Sequence, residues 1–416
     1  MKSGRNVFLT GEPGSGKTFT INTFIKWCNE NGVKPDVTAT TGTAALHVDG
    51  QTIHSWSGLG IHKTLTDEQI AKIANEPWNH GKLISCEVLI IDEISMFDAH
   101  RLDTLDRILS YAKGNMDGFP FGGVQVILVG DFFQLPPIDS DDEEDDAPFA
   151  FLAKVWERLD LAVCYLTEQH RQSDPVFVEI LTAIRSGTLK EAHHKHLKAA
   201  DRVPPDDRHI MKLHSKKWAV EQENITEFAK LPGEKKVFFM ELAGDQWKSK
   251  RMSERCPSPV KLSLKIGALV MFTKNKYEKD DDGNSDFIYA NGTIGEVVDW
   301  SANGLPLVKL RDGRIIEACY EKWEMKERSK VVASIEQVPL RLSWSNTIHK
   351  SQGMSADEMI IDLRESFACG QGYVAVSRVR TLDGLYLRGY HKDSFKMDHT
   401  VVEWDKKFRE LSANNE

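Results

Sequence analysis

The sequence predicts an α/β protein, with parallel, doubly wound sheet in two regions and a small antiparallel β unit set into the second. Three observations predict this. A glycine loop, "GEPGSGKT" (Gly11–Thr18), lies between a β-rich run and a helical pattern. Two continuous apolar runs, "EVLIIDEIS" and "GVQVILVGD", end in acids, as buried parallel strands do at their carboxyl edge. From about Leu264 to Leu340, short alternating runs are broken by Asn-Gly and Asp-Gly turns.

The elements follow in order. "NVFLT" is the first strand. "TFTINTFIKWCNENG" is a helix, with Phe19, Ile21, Phe24, Ile25 and Cys28 at helical spacing and Gly32 at its end. "DVTATT" is a second strand, and the two acid-ended runs supply further ones. A mixed region follows from "FLAKVWERLDLAVCYLTEQHRQ". After the antiparallel unit, "MIIDL" and "GYVAVSRVR" return to α/β character. No repeat of fixed period appears.

Composition narrows the class. The chain has 416 residues, 41% of them hydrophobic, with no apolar run approaching a membrane span and no signal-peptide pattern. Six scattered cysteines without C-x-x-C argue against a zinc site or a disulfide framework, and fit a reducing cytoplasmic setting. The net charge of −9 owes most of its size to seven carboxylates in "DSDDEEDD" (139–146), which reads as a flexible acidic loop. Net charge therefore says little about partners, and local basic clusters say more.

The glycine loop is a phosphate cradle. Backbone N–H groups of Gly11, Gly14, Ser15 and Gly16, with the helix N-terminus behind them, offset polyphosphate charge without bulky side chains. Lys17 is expected at the β- and γ-phosphates of a bound nucleotide, and Thr18 on Mg²⁺. Hydrolysis needs one carboxylate for metal and one for water, roles given to Asp92 and Glu93. Gln134, in "GDFFQLPP", has an amide able to bond both water and a γ-phosphate oxygen. Arg171 ("EQHRQ") and Arg378 ("VSRVR") are candidate cations for charge developing on the phosphoryl group. An incidental glycine turn, solvated strand-end acids and surface arginines are the plainer alternatives.

Together with those motifs, "TATTGTAALHVDGQTIHSW", "LTEQHRQSDPVFVEILTAIRSG", "TIHKSQG" and "GQGYVAVSRVRTLDGLYL" resemble the petite-integration-frequency (Pif) helicases. These are superfamily 1 motors of the 5′-to-3′ class, related to RecD. The stretches fall in the family's order over nearly the whole chain. The resemblance implies two tandem RecA-like parallel-sheet domains, residues 1–152 and 153–263 with 341–416. It implies a small wedge subdomain at about 57–85 in the first, and an SH3-like β-barrel at 264–340 inserted in the second. Arg171 and Arg378 become fingers from the second domain, and Gly353 joins the nucleotide side. Thr41, Thr52, His54, Thr347, His349 and Lys350 are expected along a single-strand track. Trp56, Phe132, Phe133, Trp344 and His54 are candidate supports for bases, with core packing the alternative for the tryptophans. Single-stranded DNA and DNA forks are the implied partners, with the chain a monomer.

Two departures stand out. Relatives carry a glutamine before the first strand that reads the adenine edge; here the chain opens almost at the strand. The acidic run after "QLPPI" is the second; competition with DNA phosphates is tested by deleting 139–146 and measuring affinity against salt. "HHKH" (His193–His196) lacks a good metal-binding pair across a helical turn, so a solvated face is expected. "HSKKW" (His214–Trp218) is basic and aromatic, in a family motif near nucleotide and DNA. The reading is an ATP-driven motor in which nucleotide is gripped from two sides; the alternative is a nucleotide-gated single-strand-binding ATPase that does not unwind.

Overall fold

A computed structural model describes residues 1–414 except 49, 61–63, 116–117, 138–147, 205–209, 275, 280–284, 290, 311 and 328–329. The expected acidic loop therefore lies outside the described residues. The chain divides into two compact units, Met1–Val203 with Ile348–Glu416, and Pro204–Thr347.

The first unit is built on a six-stranded parallel sheet. Its strands are β1 (Val7–Gly11), β2 (Asp36–Ala39), β3 (Gln51–Thr52), β4 (Val88–Asp92), β5 (Gln125–Val129) and β6 (Ala162–Leu166), in the order β3-β2-β4-β5-β1-β6. Register pairs Leu9 with Val129 and Cys164, and Ile90 with Ile127. Because all strands run the same way, Gly11, Asp92 and the residues after Val129 share one edge.

Side chains alternate across β1. Val7 and Leu9 pack against Ile21, Phe24 and Cys28 of the helix Lys17–Glu30. Phe8 faces the other way into a ring cluster with Phe132, Trp156 and Phe408. Phe19, expected on the helix's apolar face, is instead 78% exposed. One turn into the helix, the position points away from the sheet.

In the expected wedge region, helices Asp67–Asn75 and Pro77–Ser85 bury Ile70, Ala74 and Leu83, and a Thr66–Gln69 capping box starts the first. Later, Met359–Leu363 pairs in parallel with Leu385–Tyr390. Helices Pro175–Arg185, Gln371–Val376 and His399–Ala413 belong to the same unit.

The second unit holds a five-stranded antiparallel sheet, ordered Ile315–Glu317, Pro306–Leu310, Ile294–Trp300, Leu269–Phe272, Leu340–Leu342. Its core gathers Val270, Phe272, Val297, Val308, Leu340 and Trp344. Antiparallel pairing reaches further back than the sequence pattern: Lys236–Phe239 pairs with Lys261–Leu264, and Glu241–Gly244 with Lys330–Gln337. Among the described residues, no helix is long and apolar enough to cross a membrane.

Candidate functional site

The site assembles at the carboxyl edge of the parallel sheet. Past β1, the loop residues Gly14 and Gly16 have φ of 88° and 91° before the helix begins at Lys17. Gly14 is required twice over. Its φ is left-handed, and a Cβ there would stand 2.4 Å from that of Arg171. Lys17 Nζ donates to the carbonyls of Gly11 (2.7 Å) and Glu12 (2.9 Å). Burial lowers its pKa against the pull of Asp131 and Glu93. The Ser15 hydroxyl is buried with no hydrogen-bond partner among the described residues.

Asp92 closes β4, and its Oδ1 accepts the Glu93 N–H at 2.8 Å. Glu93 adopts φ 54°, ψ 43°, a left-handed backbone uncommon for a residue with a side chain. Such strain costs on the order of 1–3 kcal/mol and concentrates at functional sites. The Thr40 hydroxyl holds it by donating to the Glu93 carbonyl at 2.8 Å. Burial raises both carboxyls. Glu93 is pushed up to about 7, first by burial and then by the charge of Asp92.

Gln134 is buried past β5, and its Oε1 lies 3.4 Å from Gln352 Nε2. The same Gln352 nitrogen donates to Glu93 Oε2 at 3.1 Å. Arg378 is buried, with Nε donating to Val374 O at 2.8 Å and Nη2 to Ser377 Oγ at 2.9 Å. Burial and the like charge of Arg171 bring it down to about 9, so it stays cationic at neutral pH. Arg171 Nη1 reaches Ser377 O at 3.4 Å.

These groups line one cavity of about 680 Å³. Its wall includes Lys17, Thr18, Asp92, Glu93, Gln134, Arg171, Gly353 and Arg378, all within the first unit. Thr18, Asp92 and Glu93 offer only oxygen donors there, the class Mg²⁺ takes while keeping phosphate and water in its shell.

The expected single-strand track is only partly gathered. Thr41 and His349 line the same cavity. The Thr52 hydroxyl caps the helix Ile53–Ser57. His54 sets its ring edge-on to Phe97, and burial lowers its pKa. Lys350 is exposed on the turn Ile348–Ser351. Thr347 is buried and ends a strand of the other unit.

Several ring assignments need correction. Phe132 is 5% exposed, enclosed by Phe8, Phe151 and Trp156, so its face is taken by core packing. Trp56 is fully buried, and its ring N–H donates to Asp36 Oδ1 at 2.9 Å. Trp344 is part of the second unit's core. The buried ring of Phe133 lies against the Arg185 guanidinium. Of the histidine run, His193 is buried: its Nδ1 accepts the Lys190 N–H at 3.0 Å and its Nε2 lies 3.2 Å from Glu179.

Comparison with known proteins gives the family of the chain. The family model described as PIF1-like helicase matches residues 1–195. An ATP-dependent DNA helicase Pif1 from Psychrobacter sp. is 35% identical over 99% of this chain and 70% of its own. The chain belongs to the PIF1-like helicase family. Among solved structures, a Candida albicans Pif1 helicase superposes with a TM-score of 0.85 at 29% identity, covering 98% of this chain and 96% of that one. A Bacteroides Pif1 in complex with ADP-AlF3 and single-stranded DNA gives 0.73 at 30% identity, covering 98% and 94%.

Within this PIF1-like site, sequence reasoning missed Gln352. The "HKSQG" stretch flagged its neighbours His349, Lys350 and Gly353, but a glutamine's role depends on what its amide meets. Here that is decided by Glu93 and Gln134, residues 259 and 218 positions away.

Proposed function

We propose that this chain is an ATP-dependent DNA helicase that moves 5′-to-3′ on single-stranded DNA and unwinds duplex. The observation that carries it is convergence. A phosphate loop, a carboxylate pair, a γ-phosphate glutamine and two arginines from distant segments line one cavity in a PIF1-like chain.

The residues divide the work. The loop's N–H groups and Lys17 hold the β- and γ-phosphates. Thr18 and Asp92 would hold Mg²⁺, which when bound neutralises phosphate charge. Glu93 orients the attacking water and takes its proton, its raised pKa making it a competent base near neutrality. Gln134 senses the γ-phosphate. Arg171 and Arg378 stabilise charge on the transferred group, and lose that partner when phosphate leaves.

The architecture assigned to this function is two RecA-like domains, 1–152 and 153–263 with 341–416. Residues 57–85 serve as the strand-separating wedge, and the antiparallel sheet as an SH3-like insert. Thr41, Thr52, His54, Thr347, His349 and Lys350 supply the grip on single-stranded DNA.

The deciding experiment compares duplexes bearing only a 5′ or only a 3′ single-stranded tail. ATP-dependent strand separation from the 5′ tail alone is expected. DNA-stimulated ATP turnover with no separation from either would instead identify a nucleotide-gated single-strand binder.

A further inference from the structure

Arg185 ends the helix Pro175–Arg185 and is 3% exposed, a guanidinium deep inside the unit that holds the nucleotide cavity. Its Nη1 donates to both carboxylate oxygens of Asp131, each at 2.8 Å. Its Nη2 donates to the Tyr165 hydroxyl at 2.8 Å and to Asp405 Oδ1 at 3.4 Å. The Tyr373 hydroxyl lies 3.4 Å from Nη1, and the guanidinium carbon sits 4.0 Å from the centre of the Phe133 ring. One planar cation is thus met by five residues from four separate stretches of chain.

Two of those contacts fall immediately before Gln134. Asp131 Oδ1 also accepts the Phe133 N–H at 3.2 Å, and the Asp131 carbonyl accepts the Gln134 N–H at 3.0 Å. Arg185 therefore grips both the carboxylate and the ring of the turn that presents Gln134. The turn's other side is closed by Gly370, at φ 74°, where a Cβ would come 2.5 Å from Phe133 O and 2.6 Å from Gln134 O. A buried ion pair is weak evidence for stability alone, since a well-packed apolar pair often serves as well. A rigid fork of fixed donors does what an apolar pair does not: it fixes the orientation of what it binds.

We infer that Arg185 is a positioning residue for Gln134, acting through Asp131 and Phe133. It also ties that turn to the helix His399–Ala413, where Arg409 donates to Asp405 Oδ2 at 2.8 Å and to the Tyr165 hydroxyl at 2.7 Å. The inference rests on the reading of Gln134 as the group that meets the γ-phosphate.

A double-mutant cycle on the full chain tests it, with DNA-stimulated ATP turnover as the readout. Arg185→Lys keeps the charge and loses the fork. It is expected to lower kcat roughly 10- to 100-fold with KM for ATP within about threefold, the signature of a misplaced group. In a Gln134→Ala background the same change should cost less than about threefold, because the group it positions is gone. Full multiplication of the two losses, or wild-type turnover in Arg185→Lys, overturns the inference. Phe133→Leu repeats the cycle without disturbing the buried charge, and carries the test if the lysine variant does not fold. Wild-type turnover in Gln134→Ala alone overturns the reading of Gln134, and this inference with it.

Discussion

Glu93 carries two burdens at once, a left-handed backbone and a carboxyl pushed up to about 7 from the ordinary 4.5. Below about 4.5 it is protonated whether the chain is folded or not, and burial costs it nothing. As pH rises towards 7 the unfolded chain ionises first, so stability is lost through that window and stays lost above it. Glu93→Gln removes the titration and leaves the backbone as it was. Its stability advantage over the wild type is therefore expected to open between about pH 4.5 and 7 and reach on the order of 3 kcal/mol at pH 8. Denaturant melts at pH 5 and pH 8 check this, and an equal gap at both would contradict it. ATP turnover in the same variant should nearly vanish. Lys17, Asp92 and Glu93 were legible as candidates that line one cavity because each sits inside a short contiguous motif. Gln352 and Arg185 were not, because their partners lie far along the chain.

The aromatic cluster around Phe8 shows how an element decides a residue's job. Phe132 follows a strand end in a motif rich in chemistry, which makes it a candidate to meet a base. The sheet turns it inward against Phe8, Phe151 and Trp156, while Gln134, two residues on, lines the cavity. Phe132→Ala is expected to cost about 3–5 kcal/mol of stability, as large core truncations do, with single-strand affinity of the folded protein unchanged. Denaturant melts and an oligonucleotide titration separate the two effects. A stable variant with weakened DNA binding would return Phe132 to the DNA. The parallel strands were legible as continuous apolar runs. The pairings of Glu241–Gly244 and Lys236–Phe239 were not, since a strand's partner is chosen by three-dimensional proximity and not by its own pattern.

Across the whole molecule, holding nucleotide and holding DNA are separable tasks. Lys17 is proposed to meet phosphates, whereas the proposed grip on DNA is spread over segments from Thr41 to Lys350. Lys17→Ala is accordingly expected to lower ATP turnover at least ~10³-fold, by loss of transition-state charge stabilisation, while single-strand affinity stays within about threefold. ATPase assays and oligonucleotide binding at one fixed salt concentration check it. Loss of both together, in a folded protein, would mean that the two sites are one.

By itself the sequence determined the class of sheet, the phosphate loop, the carboxylate pair and the family, because each is written in contiguous residues whose spacing obeys strand and helix geometry. Only the tertiary structure decided which glutamine meets Glu93, which rings are core and which guanidinium is buried against Asp131 and Phe133. Those outcomes depend on segments hundreds of residues apart being packed against one another, and packing is a property of the folded whole.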